Sequence, residues 1–333
     1  MPEPAQTKLV ACVWYHFDLW CFPDWLAQAI HQRYPEMKVV HLPDYKGLGA
    51  ELPDTDIFVG WSLRPEQFAL AKKLKWIHAT AAGVNQLMYE GVQRSSAVVT
   101  NSRGVMTIPM AEHTLGLILA LARRIPSAVQ YQAQKHWAQQ DIWNEQPPPT
   151  EINGRTLLVV GYGAIGQELG RRARALGMRV VGVKRDPSRG TEHADAVVGS
   201  DRLREVLGEA DFVVLATPIT PETEHAFGQR EFEAMKESAH FINVGRGTLV
   251  ETGALIEALQ KKKIAGAAID VAEQEPLPPE SPLWSAPNLL ITPHLSAASE
   301  RLWHRHAALL LDNLNRYFKG QELRNVVDKQ RGY

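Results

Sequence analysis

Three short segments of this chain carry side chains suited to anion and proton chemistry. Gly245-Arg246-Gly247 follows the strand-like run His240–Asn243, Asp270 to Pro276 closes the run that starts at Ile264, and Pro293-His294-Leu295-Ser296 follows Leu289–Ile291. A guanidinium between two glycines can approach a small carboxylate as a fork of donors. An unperturbed imidazole titrates near pH 6.5, so His294 is the natural proton donor where negative charge grows on a carbonyl oxygen. Glu275 is the partner of opposite charge that favours imidazolium and fixes the ring. Taken singly, a histidine after a strand or a Glu-Pro pair at a turn is ordinary structure. A fourth segment changes their meaning.

Residues 155–176 read as an apolar strand, then Gly161-Tyr162-Gly163-Ala164-Ile165-Gly166, then a helical pattern. In that setting Gly161 permits a tight turn, Gly163 lets a pyrophosphate approach the backbone, and Gly166 lets the helix pack close to the strand. The free N–H groups of the helix start face the phosphates. This is a dinucleotide loop. A nicotinamide cofactor supplies a hydride, and the protein must then polarise a carbonyl and handle one proton. Arg246 would hold the substrate carboxylate and help polarise the adjacent carbonyl, with His294 as the acid.

The next strand ends in Lys184 and Arg185, the latter nineteen residues after Gly166. A site for NAD usually places a carboxylate near this point for the ribose 2′-OH, whereas a guanidinium suits a 2′-phosphate. NADP(H) is therefore the expected preference, with NAD(H) left open. Asp186, followed by Pro187, reads as a turn cap.

The elements that must position these residues alternate strand and helix, which predicts parallel sheets covered by helices. The expected strands are Leu9–Trp14, Lys38–Leu42, Asp56–Gly60, Trp76–Ala79 and Val98–Thr100, then six from Arg155 onward, the size of a doubly wound sheet. Residues 108–123 read as a helix too apolar all round to be exposed. Pro147-Pro148-Pro149 is a stiff linker, and Glu300–Phe318 reads as a final helix.

At 333 residues, with 45% hydrophobic content and a net charge of −1, the chain is expected to form about two globular domains with no surplus for nucleic acid. Cys12 and Cys21 give neither a disulfide framework nor metal-ligand spacing. The N-terminal apolar run is interrupted by charged neighbours and makes a poor signal peptide, and no stretch has the length of a membrane span. The cytoplasm is the expected location.

The ordered set Ala82-Gly83-Val84-Asn85, Val99-Thr100-Asn101, Met110-Ala111-Glu112-His113, Gly161–Gly166, Leu215-Ala216-Thr217-Pro218, Asn243–Gly247, Asp270–Pro276 and Pro293–Ser299 resembles the D-isomer-specific 2-hydroxyacid dehydrogenase family. That family includes glyoxylate/hydroxypyruvate reductases, and the likeness covers most of the chain. It implies a catalytic triad of Arg246, Glu275 and His294 acting on a 2-oxo acid. It implies that Ala164 and Ile165 contact the pyrophosphate, that Thr217 and Val244 lie along the cofactor, and that Asp270 holds the nicotinamide carboxamide. Backbone amides around Trp61 and at Ala82-Gly83 would take the substrate carboxylate, with Leu63, Arg64 and Met106 as further pocket candidates.

The same resemblance implies a doubly wound (Rossmann) cofactor domain over 102–297 and a smaller flavodoxin-like α/β substrate domain over 1–101 and 298–333. It implies a homodimer built on the 108–123 helix and the Trp137 loop. Two positions depart from the usual pattern. Arg185 stands where NAD-specific members keep an acid, and Asn85 where Asp is frequent. Two other functions use the same loops: a dinucleotide-sensing scaffold, against which the complete triad argues, and a sister activity such as formate or phosphonate oxidation.

Overall fold

The structure is a computed structural model that describes residues 2–332. The chain divides into two compact units, one running to Met106 and resuming at Ala298, the other Thr107–Ala297.

In the first unit β1 (Lys8–Cys12), β2 (Lys38–Leu42), β3 (Ile57–Val59), β4 (Trp76–His78) and β5 (Val98–Thr100) form a parallel sheet ordered β2-β1-β3-β4-β5. This flavodoxin-like order reverses between β1 and β3. Alternate side chains serve two cores: Val10, Cys12, Phe58 and Ile77 enter one, and Leu9, Ala11, Val59 and Trp76 the other. The chain returns here because helix Leu302–Phe318 lays Trp303, Ala307, Leu310 and Leu314 on the second face. Their spacing makes one apolar stripe, and burying each of its leucines contributes about 1.5–3 kcal/mol.

The second unit holds β6 (Thr156–Val160), β7 (Arg179–Lys184), β8 (Ala196–Gly199), β9 (Phe212–Leu215), β10 (His240–Asn243), β11 (Gly266–Ile269) and β12 (Leu289–Ile291). They form one sheet ordered β12-β11-β10-β9-β6-β7-β8, parallel throughout, that reverses between β6 and β9. This is the doubly wound Rossmann arrangement, with helices on both faces. Sequence periodicity predicts six strands here. The seventh, β8, is a four-residue edge strand that is only half-buried, so it lacks the continuous apolar run that marks its neighbours.

Helix Thr107–Ala122 forms where the apolar run predicts a helix. One stripe, including Ala111, Leu117, Ile118 and Leu121, packs with Leu157, Val159, Leu169 and Ala173. Within the single chain Ile108 and Leu119 remain 40% and 37% exposed. Among the described residues no helix is long and apolar enough to cross a membrane.

Candidate active site

Five loops at the carboxyl ends of neighbouring strands in the second unit meet through glycines and one buried aspartate. Gly161, at φ +97°, lies so close to the backbone of Ala216-Thr217 that an added Cβ would stand 2.6 Å from it. At Gly245 a Cβ would come within 3.0 Å of the Thr217 carbonyl. At Gly247 it would fall 1.9 Å from the Ala272 backbone, so no side chain fits. The loops after β6, β9, β10 and β11 thus form one continuous rim. Asp270 ties the loop after β12 to it, and this rim is where open α/β sheets take their ligands.

Arg246 projects from a braced turn. The buried Asn243 side chain accepts from the Gly245 N–H at 3.0 Å and donates to the Arg246 carbonyl at 2.9 Å. The guanidinium donates to the Gly245 carbonyl at 2.7 Å, and the side chain still reaches solvent. Crowding by protein lowers its pKa and the Glu275 charge opposes that, but an arginine stays cationic in either case.

His294 Nδ1 lies 2.6 Å from Glu275 Oε2, with the two side chains 46% and 36% exposed. Glu275 Oε1 accepts the Ala272 N–H at 3.0 Å, which fixes the carboxylate plane. Burial pushes the Glu275 carboxyl up. The hydrogen bonds from His294 and Ala272 and the charges of His294 and Arg246 outweigh it, and the carboxyl sits below its ordinary range. An ionised Glu275 accepts, so Nδ1 carries a proton and Nε2 is the ring atom left for a substrate. The backbone of His294 is left-handed, at φ +53°, an uncommon region for a residue with a Cβ.

Asp270 is buried, and both its carboxylate oxygens are taken. Oδ1 accepts from Thr292 Oγ1 at 2.6 Å and from the Leu295 N–H at 2.9 Å, and Oδ2 accepts from the Ser296 N–H at 2.9 Å. Val244 is buried too, packed in the core with Ile242, so the loop offers its backbone rather than that side chain.

The dinucleotide loop fits a pyrophosphate. A Cβ placed at Gly163 meets nothing within 4 Å, while Gly166 is pressed against the Gly161 carbonyl at 2.9 Å. Helix Ala164–Ala175 starts with no side-chain cap, which leaves its first N–H groups for an anion. Lys184 follows the same rim and donates to the Arg189 carbonyl at 2.7 Å. Arg185 is exposed, and its charge helps to lower the Glu222 carboxyl, after the Thr220 hydrogen bond and the Glu222 backbone. Asp186 caps the turn by accepting from the Ser188 N–H and hydroxyl at 3.0 and 2.6 Å.

In the first unit, Ala82 and Gly83 are exposed on a loop that Asn101 holds through the Ala82 carbonyl at 2.9 Å. Trp61 follows β3 and Tyr15 follows β1, at the reversal of the sheet, with ring centroids 6.0 Å apart.

Three contributors escape sequence reasoning. Tyr162, inside the glycine motif, is fully buried, lies against Gly170 and Gly182, and donates to the Glu192 carbonyl at 2.9 Å. The second is the left-handed turn at His294. The third is His113, whose Nε2 is 3.1 Å from Thr292 Oγ1. A tyrosine inside the motif was a visible signal. The other two depend on folding.

The sequence pattern of the D-isomer specific 2-hydroxyacid dehydrogenase, NAD binding domain, matches residues 115–296. The chain belongs to the D-isomer specific 2-hydroxyacid dehydrogenase family, and it is an NAD(P)-binding oxidoreductase. It is similar to the glyoxylate reductase of Korarchaeum cryptofilum, 33% identical over 298 residues that cover 86% of this chain and 87% of the relative. It is 34% identical over 283 residues to the D-3-phosphoglycerate dehydrogenase of Methanocaldococcus jannaschii, covering 84% of this chain but only 52% of that relative's length. An NADPH-dependent glyoxylate/hydroxypyruvate reductase of Sinorhizobium meliloti, solved with NADP and sulfate, superposes with a TM-score of 0.82 at 26% identity, over 98% of this chain and 100% of the other.

Proposed function

We propose that this chain reduces a small 2-oxo acid to the D-2-hydroxy acid, with NADPH as the preferred donor. The observation that carries the reading is the 2.6 Å His294–Glu275 pair on the same rim as the cationic Arg246. Arg246 grips the substrate carboxylate and polarises the adjacent carbonyl, in the way that fixed cations stabilise a developing oxyanion. His294 delivers the proton from Nε2 to the carbonyl oxygen, and Glu275 holds the ring and supports its charge as the proton leaves. When bound, the nicotinamide supplies the hydride.

Within this reading Thr107–Ala297 is the cofactor domain. Gly161, Gly163, Ala164, Ile165, Gly166 and Thr217 hold the dinucleotide, and Val244 and Asp270 shape its nicotinamide end from below. Lys184 and Arg185 set the preference for a 2′-phosphate. Trp137 and Trp143, 91% and 62% exposed, and the exposed Ile125, Val129 and Leu119 are apolar side chains that suit a homodimer interface. A cytoplasmic setting accords with the two free cysteines.

The test is reduction of glyoxylate, hydroxypyruvate, pyruvate and phenylpyruvate with NADPH and with NADH. His294→Asn should abolish turnover and keep NADPH binding; retained turnover refutes the role. Arg185→Ala should raise the NADPH KM about tenfold and leave NADH unchanged, a loss typical of one charged hydrogen-bonding group. Equal effects on both cofactors would remove the basis for the NADPH preference.

A further inference from the structure

The His294 loop is held by a chain of hydrogen bonds that starts on the helix Thr107–Ala122. Thr292 has a single hydroxyl proton, and at 2.6 Å it goes to Asp270 Oδ1. The Thr292 oxygen must therefore accept from His113, so the His113 Nε2–H donates across 3.1 Å. The same Nε2 lies 3.5 Å from Asp270 Oδ1, with the His113 side chain 22% exposed and that of Asp270 fully buried. Asp270 then gathers the loop: its carboxylate takes the N–H groups of Leu295 and Ser296, and its carbonyl takes the His294 N–H at 2.9 Å. Residues on both sides of His294, and His294 itself, are all tied to one buried residue.

Such tying is what a left-handed histidine requires. A non-glycine residue at φ +53° persists only where its surroundings over-determine it. If the anchor loosens, the turn relaxes and the imidazole leaves its line with Glu275. We propose that His113 is a positioning residue for the acid–base histidine, acting through Thr292 and Asp270 rather than by touching substrate. The helix that carries His113 is packed on the sheet along its whole buried stripe, so the chain of bonds refers the loop to a rigid element. The proposal rests on the reading of His294 as the proton donor.

The experiment compares His113→Leu and His113→Gln, and Thr292→Val and Thr292→Ser, in the full chain. Each is assayed for kcat, for KM of the 2-oxo acid, and for NADPH Kd by quenching of intrinsic fluorescence. The Leu and Val variants should lose about tenfold or more in kcat, as small misplacements of catalytic groups do, with KM and NADPH Kd unchanged. Gln, which keeps a donor near the Nε2 position, and Ser, which keeps the hydroxyl, should recover most of the loss. Three results overturn the proposal: wild-type kcat in the Leu and Val variants, a loss that follows NADPH Kd instead, or Gln and Ser variants no better than Leu and Val. If His113→Leu does not fold, the Thr292 pair decides alone. His294→Asn separates the two levels. An active His294→Asn defeats the underlying reading, whereas an inactive one beside a normal His113→Leu defeats only this inference.

Discussion

Replacing Glu275 with glutamine keeps the shape of the His294 partner and removes its charge. Two unit charges about 4 Å apart interact by about 4 kcal/mol at the effective dielectric of a protein surface and by about 1 kcal/mol in bulk water. The pair is 46% and 36% exposed, between those limits, so about 2 kcal/mol of support for the imidazolium is at stake. That corresponds to about 30-fold in rate where the protonated ring does the work. Geometry adds to the loss. One Gln oxygen cannot serve both the Ala272 N–H and His294 Nδ1, which now occupy two carboxylate oxygens. If the amide NH2 turns to the ring, it sets donor against donor in the protonated state. The assay is kcat/KM for 2-oxo acid reduction from mildly acidic to mildly alkaline pH. The variant should lose about 30-fold in kcat/KM while NADPH Kd holds. A Glu275→Gln enzyme that matches wild type across that range would refute the idea that the carboxylate supports the proton donor.

Two further outcomes follow from the geometry. Gly163→Ala places its methyl in open space, so the melting temperature should hold while NADPH Kd rises about tenfold, the methyl standing where the pyrophosphate approaches the backbone; an unchanged Kd would remove Gly163 from the cofactor site. Acid stability should fall as the unfolded chain takes up protons on histidines that burial keeps neutral in the fold. Burial lowers His78 to about 3, assisted by the His306 charge, His240 to about 4, assisted by the Arg124 charge, and His306 to about 4. The unfolded chain binds these protons first, near pH 6.5, so stability is intact above that value and is lost as pH drops toward the folded values. Between pH 6.5 and 5 each histidine removes about 2 kcal/mol. Urea midpoints at neutral and acidic pH should show the drop, and His306→Asn, which can still pair with Ser102, should shrink it. An equal drop in the variant would discount His306.

What the sequence discloses follows the range of the forces involved. Apolar runs report the parallel sheets directly, because strands buried on both faces need side chains that are apolar in succession, as in Thr156–Val160. The glycines and the triad candidates are also legible, since each residue type has a narrow chemical use. The edge strand Ala196–Gly199 is not, because a short, half-buried strand has no pattern distinct from a loop. Neither is the apolar helix at 107–122, whose composition does not say which stripe faces the sheet and which stays outside. Asp270 shows the sharpest limit. Its type and place invite a role against the cofactor, while its hydrogen bonds run to residues more than twenty positions away.

Tyr162 has a consequence for anyone who would retool this enzyme. Its ring fills the space that a side chain at Gly182 would need, and its hydroxyl holds the Glu192 carbonyl beyond the Lys184–Gly190 turn. Cofactor choice, which the proposed function sets at Lys184 and Arg185, is therefore not a portable module. A donor turn grafted between Lys184 and His193 would arrive without its clasp unless the residue at 162 and the glycine at 182 travelled with it.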